Sequence, residues 1–194
     1  SGAQGSRQPS VTGLPFSGNG YTVNNNFNIF IAELNTRFGN KANNKLQIGY
    51  TALRDFRESL SSKEFPLVDI MNGNNQTYTS FGYEPFTFNN KLSSDIIQIS
   101  DIFTFYKGSH EITLGTQNYF KSFENGFAPD YNGYYRFNNL TDFYASANDP
   151  SVKRASLQRL RYSATKDGSF PFANINAKEI GVFAQDKWRV KPNF

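Results

Sequence analysis

Residues 25–57 read NNFNIFIAELNTRFGNKANNKLQIGYTALRDFR, and the two-residue period of that stretch decides the fold class. Successive side chains of an extended strand point to opposite sides, so Phe30, Ala32, Leu34 and Phe38 share one face while Glu33, Asn35 and Arg37 share the other. Gly39 to Asn44 is a turn by composition. Beyond it Leu46, Ile48, Tyr50 and Ala52 oppose Gln47, Gly49 and Thr51, which predicts a second strand from Lys45 to Arg57 and, with the first, a hairpin.

The same reading extends along the chain. A third strand over 93–107 carries Ile97, Ile99, Phe103 and Phe105 on one face, with Asp101 interrupting that face. The turn Lys107-Gly108-Ser109-His110 leads into a fourth strand reaching Phe120, where Ile112, Leu114 and Phe120 alternate with Thr113, Gly115 and Gln117. In a fifth strand, 176–190, Ile180, Val182, Ala184 and Trp188 alternate with Glu179, Gly181, Gln185 and Lys187, before the turn residues Lys191-Pro192-Asn193. Helical spacing is scarce; its best instance is Ser151 to Tyr162, with Val152, Ala155, Leu157 and Leu160 among basic residues.

The resulting order is a loop segment (1–24), a hairpin (25–57), a long polar stretch (58–92), a second hairpin (93–121), a longer stretch (122–175) and a strand entering a turn (176–194). Connections in soluble sheets are typically about 4 to 6 residues and strands about 5 or 6. A transmembrane barrel instead alternates short periplasmic turns with long extracellular loops, on strands of about 9 to 11 residues or more. The expected fold is therefore all-β, an antiparallel transmembrane β-barrel segment of about five long strands. Five spans cannot close a barrel, because the smallest single-chain barrels have about 8 strands, so the expectation is an interior piece of a longer polypeptide. The alternative is a soluble or surface-exposed β-sheet module that binds glycan or protein through aromatic loops.

Composition agrees with strands and turns: 20 Phe and 11 Tyr stand against one Met and one Trp, and the mean hydropathy is −0.58. A negative mean is ordinary where strands alternate faces. The net charge of +4 is spread along the chain without a run of five or more like charges, which speaks against a nucleic-acid partner. Without cysteine there is no disulfide framework and no thiolate metal site.

Few residues suggest chemistry. His110 is the single histidine, and next to a Lys-Gly-Ser turn it reads as a turn or interface residue. The carboxylate pairs Asp55 with Glu58 and Glu179 with Asp186 read as solvated faces rather than acid–base machinery. Asp130-Tyr-Asn-Gly133 has oxygen ligands beside a glycine but lacks the spacing and terminal Glu of a calcium loop. Gly18-Asn-Gly20 has no following Lys and is no phosphate loop. No catalytic residue, metal or cofactor is expected, and no enzymatic activity. The aromatic residues of the long stretches, Tyr78, Phe81, Tyr83, Phe86, Tyr131, Tyr134, Tyr135 and Phe137, either contact a ligand at the cell surface or pack the loops together. Tyr106 and Trp188, near the short turns, are expected at a membrane interface.

The run Glu179-Ile-Gly-Val-Phe-Ala-Gln-Asp-Lys-Trp-Arg-Val-Lys-Pro-Asn-Phe194 resembles a recurrent strand and turn of TonB-dependent receptors. Asn44-Lys-Leu-Gln-Ile-Gly-Tyr50, Arg54-Asp-Phe-Arg57 and Phe65-Pro-Leu-Val-Asp-Ile70 resemble those of Bacteroidetes receptors with a carboxypeptidase-regulatory-like domain. So do Ser100-Asp-Ile-Phe-Thr-Phe-Tyr-Lys-Gly-Ser-His110 with Ile112-Thr-Leu-Gly115, and Tyr134-Tyr-Arg-Phe137 with Leu140-Thr-Asp-Phe143. The resemblance implies import of a bulky nutrient, a siderophore, glycan or peptide, across the bacterial outer membrane. It also implies as partners the outer-membrane lipid, a plug domain elsewhere in the same polypeptide and the TonB complex, and leaves open whether a surface lipoprotein sits on the barrel.

Overall fold

The computed structural model describes residues 2–6, 9–62 and 65–191 of the 194. Side chains of 2–6 and the turn at 192–193 lie outside that description. The elements in chain order are β1 (Gly2–Ser6), β2 (Gly20–Phe38), β3 (Ala42–Ser59), β4 (Leu67–Met71), β5 (Thr77–Phe81), β6 (Lys91–Lys107), β7 (His110–Gly126), β8 (Tyr134–Phe137), α1 (Leu140–Asn148), β9 (Leu157–Arg159) and β10 (Ala173–Trp188). Two sheets result, a six-stranded one ordered β1-β2-β3-β6-β7-β10 and a four-stranded one ordered β5-β4-β8-β9.

All five strands expected from the two-residue period are present, and each is longer than expected. The extra length lies mainly at the long-loop ends, where β2 starts at Gly20 and β7 runs on to Gly126. At about 3.3 Å per residue, strands of 16 to 19 residues run roughly 50 to 60 Å, well past the 9 to 11 residues a membrane crossing needs. A strand outside the lipid layer no longer needs one apolar face, so Asn24-Asn25-Asn26 continues β2 without the alternation. Among the described residues the sheet is open, with β1 and β10 at its two ends. β1 is antiparallel to β2, from Gly2 opposite Asn24 to Ser6 opposite Gly20.

The chain divides into two compact units, each with its own logic. The sheet unit comprises Phe27–Leu53, Ser93–Glu124 and the residues from Asn174 onward. The loop unit comprises the residues up to Asn26 with Arg54–Leu92 and Asn125–Ala173. Every buried hydrophobic side chain among the described residues belongs to the loop unit: Leu67, Val68, Ile70, Tyr83, Tyr134 and Phe137. There β4 pairs antiparallel with β5, with a register shift between Ile70 and Met71, and parallel with β8, while β8 pairs antiparallel with β9. Val68, Ile70 and Phe137 form the core, against which Phe81, Tyr135, Phe143 and Ala155 pack.

The one α-helix among the described residues is not at 151–162, the best instance of helical spacing. Residues 151–162 contain β9 instead, with Leu157 opposite Arg136 and Ser156 N donating to Arg136 O at 2.8 Å, so strand pairing with β8 overrides a weak local preference. The real helix, α1, begins at Asn139, whose side chain accepts from Asp142 N at 2.8 Å and donates to the Asp142 carboxylate at 3.0 Å. Pro150 follows its C-cap Asp149, as befits a chain leaving a helix.

Candidate functional site

In the sheet unit polarity is inverted. Its buried residues are small and polar, Ser94, Ser100 and Thr104 on one face of β6, while Phe30 is 67 % exposed, Ile180 74 % and Val182 82 %. A water-soluble sheet buries one apolar face against a second layer; here the apolar face has no such cover. Cross-strand contacts fix which residues share a face. Lys45 pairs with Glu33 at 2.9 Å, Lys121 with Glu179, and Lys187 with Glu111 at 3.9 Å, while the Thr104 and Thr113 hydroxyls meet at 3.1 Å. These residues define the polar face. By alternation the opposite face carries Phe30, Leu34, Ile48, Ile97, Phe103, Leu114, Ile180 and Val182.

Polar groups near the middle of that apolar face are hydrogen-bonded in three places. Asp101, the interruption in the third strand, accepts from Asn44 Nδ2 at 2.7 Å, and Asp95 accepts from the Tyr50 hydroxyl. Thr116 Oγ1 donates to Gly181 O at 2.9 Å. Such satisfaction is what a low-dielectric neighbour demands of polar side chains. On the polar face the Phe183 ring lies across Gly115, where a Cβ would overlap it.

The short-turn end gathers the interface candidates. Tyr106 N donates to Lys41 O and Arg189 N to Ser109 O, both at 2.9 Å, so the turns after β2 and β6 and the end of β10 lie together. Tyr106 is partly exposed and its hydroxyl accepts from Asn43 Nδ2 at 3.1 Å, but two residues past Thr104 it falls on the polar face, not on the apolar face that carries Trp188. Trp188 is 60 % exposed and stacks on the His110 ring at 5.6 Å and 7°. His110 Nδ1 in turn lies 2.7 Å from Asp186 Oδ2. The lone histidine is thus an ordering residue for the tryptophan beside a turn.

In the loop unit the eight aromatic candidates separate. Tyr83, Tyr134 and Phe137 are buried, and Phe81 sits among Phe16, Phe65 and Phe143. Tyr131 stacks on Phe88 at 5.2 Å and meets Phe170 at 5.0 Å. Tyr78 and Tyr135 reach open surface: Tyr78 borders a shallow pocket with Ser10, Gly13 and Leu14, and Tyr135 lines a cleft of about 730 Å³. Phe86, about half exposed, gives its backbone to Glu84, its N–H donating to Oε2 at 3.0 Å.

Tyr134 is tied to a carboxylate that sequence reading overlooked. Its hydroxyl donates to Asp69 Oδ2 at 2.8 Å, and Ser80 Oγ donates to Asp69 Oδ1 at 2.6 Å, so buried Asp69 links β4, β5 and β8. Burial, and then the Asp69 hydrogen bond, push the Tyr134 phenol up from its ordinary value. Burial beside Glu84 does the same to Tyr83. Asp130 forms a turn to Gly133 with φ +60° and faces Arg159 at 3.6 Å. Glu58 accepts from Asn24, while Glu179 and Asp186 each have a separate partner. Among the described residues no three His, Cys, Asp or Glu side chains gather as a metal site.

Long antiparallel strands with an exposed apolar face, a polar face laced by ion pairs, and alternating short turns and folded loops define a membrane β-barrel protein. The model of the outer membrane beta barrel domain family matches residues 3–194, and this chain belongs to that family. It is an outer-membrane protein. No curated protein and no solved structure matches it.

Proposed function

We propose that the chain forms barrel strands and surface loops of a TonB-dependent receptor of the Bacteroidetes type, importing a bulky nutrient of the siderophore, glycan or peptide class. The observation that carries this reading is the asymmetry between the two kinds of connection. Gly39-Asn40-Lys41 and Gly108-Ser109 join strands in two or three residues, whereas residues 60–90 and 127–172 build a loop unit with its own core. Outer-membrane barrels in general alternate such connections; a loop unit with its own core adds a fixed surface on which a large solute is captured.

The edges of β10 and of β2 beyond Asn24, where β1 no longer pairs with it, support a larger barrel, since an unpaired edge in hydrocarbon leaves backbone groups unsatisfied at several kcal/mol each. On this reading more strands and a plug domain come from the same polypeptide, the TonB complex supplies energy, and a surface lipoprotein caps the loops. The lipid-facing partner is the outer-membrane bilayer, and no catalytic step or cofactor takes part.

The test is nutrient uptake in cells lacking either the gene or the TonB energy supply, screened over labelled siderophores, glycans and peptides. Loss of uptake of one class in both strains is expected. Uptake that survives removal of the energy supply but not of the gene would mark a passive channel and overturn the proposal.

A further inference from the structure

The 730 Å³ cleft of the loop unit lies between β8, the later turns of α1 and residues 150–158, within the size range of small-molecule sites. Its walls are preformed. Arg154 N donates to Ser146 Oγ of α1 at 3.0 Å, Ser156 N donates to Arg136 O at 2.8 Å, and Gln158 Nε2 donates to the Tyr135 hydroxyl at 3.2 Å. Phe143 meets Phe137 edge to face at 5.4 Å, giving the floor a rigid aromatic base.

The charge at this cleft has one sign. Lys153 and Arg154 line it and no carboxylate does. Lys153 Nζ is fixed by donating to Pro150 O at 2.7 Å. Asp149, the nearest acid in sequence, is occupied by the N–H and hydroxyl of Ser151, which hold its carboxyl below the usual range. Residues 150–166 carry Lys153, Arg154, Arg159, Arg161 and Lys166 without one Asp or Glu.

We propose that this cleft binds a small soluble organic anion, a carboxylate, phosphate or sulfonate carried on a flat apolar body. The body lies against Tyr135 and Phe143, and the anionic group meets Lys153 and Arg154. Aromatic walls alone would suit a neutral sugar; two cations with no carboxylate in the lining favour an anion. As a capture site for cargo the cleft rests on the transport reading, whereas binding itself is measured without any transport step.

The experiment is calorimetric titration of the full-length polypeptide, in nanodiscs of zwitterionic lipid, with naphthalene-2-sulfonate and its neutral counterpart naphthalene-2-sulfonamide. The sulfonate should bind at least roughly tenfold more tightly. The double variant K153E/R154E, at exposed positions, should lose roughly tenfold or more for the sulfonate and nothing for the sulfonamide. Ala147→Trp, which fills the cleft from exposed α1, should remove both. Equal binding of the probes, no binding of the sulfonate, or a sulfonate affinity indifferent to these variants would overturn the proposal. Sulfonate binding without energy-dependent uptake would refute the transport reading alone; uptake without cleft binding would refute the cleft alone.

Discussion

Gly115 and Phe183 provide a substitution whose sign, not only its size, follows from the structure. Glycine in a strand interior is ordinarily a weak point, and replacing it with alanine where space allows gains roughly 0.5–1 kcal/mol. At Gly115 an added Cβ would coincide with the Cζ and Cε1 edge of the Phe183 ring on neighbouring β10. The ring must move. Overpacking costs about 1–3 kcal/mol, and because Phe183 is 45 % exposed and has open space to swing into, the lower half of that range is expected. Gly115→Ala should therefore destabilise by about 1–2 kcal/mol in the native background. With Phe183→Ala already present, the same change should stabilise by a few tenths to about 1 kcal/mol. The assay is urea unfolding of the full-length polypeptide in lipid vesicles, followed by heat-modifiable migration, for all four members of the double-mutant cycle. Equal effects of Gly115→Ala in both backgrounds would refute the ring-on-glycine contact and the β7–β10 register built on it.

Three further outcomes concern the loop unit. Gly82 has φ +90° and its missing Cβ would overlap Pro66 O, so Gly82→Ala should cost at least about 1–3 kcal/mol locally, read as faster proteolysis within 60–90 and 127–172 while the barrel strands stay protected. Asp69→Ala leaves the Ser80 and Tyr134 hydroxyls without their buried acceptor at about 1–3 kcal/mol each, and hydrogen exchange in β4 and β8 should accelerate, whereas Asp69→Asn should retain part of the protection. The raised Tyr83 and Tyr134 phenols imply that the unfolded chain loses these protons at lower pH than the folded one. Stability is then fully present below about pH 10 and declines as pH rises through the folded values, so tyrosinate absorbance should appear in step with protease sensitivity.

The strands were legible because lipid imposes the pattern that sequence reading detects. Where a strand has an apolar and a polar face, as at Ile180-Gly181-Val182, the period of two is visible; where β2 passes through Asn24-Asn25-Asn26 it vanishes, and the expected boundary falls short. The loop unit was opaque for a different reason. β4 and β8 are five and four residues long and pair in parallel across more than sixty residues, and no local signal encodes such a partner. Its helix did leave a mark: Asn139 and Asp142 stand at the spacing of a reciprocal N-terminal cap, a stronger sign than the apolar spacing of 151–162. Among the aromatic candidates, sequence could not separate Tyr134, held on a buried carboxylate, from Tyr135 one residue later, which opens onto the cleft. Lys153-Arg154 was visible as charge but gained meaning only beside Phe143 and Tyr135.

The central claim is that the even-numbered residues of β10 face lipid and the odd-numbered ones face the polar interior. Single cysteines at each position from 179 to 187, in a cysteine-free background of the full-length polypeptide in lipid vesicles, would carry spin labels for accessibility to oxygen and to a polar nickel complex. Labels at 180, 182 and 184 should favour oxygen and those at 179, 181 and 185 the nickel complex, with a period of two and opposite phase. Uniform access of the nickel complex to both sets would contradict a membrane-spanning strand.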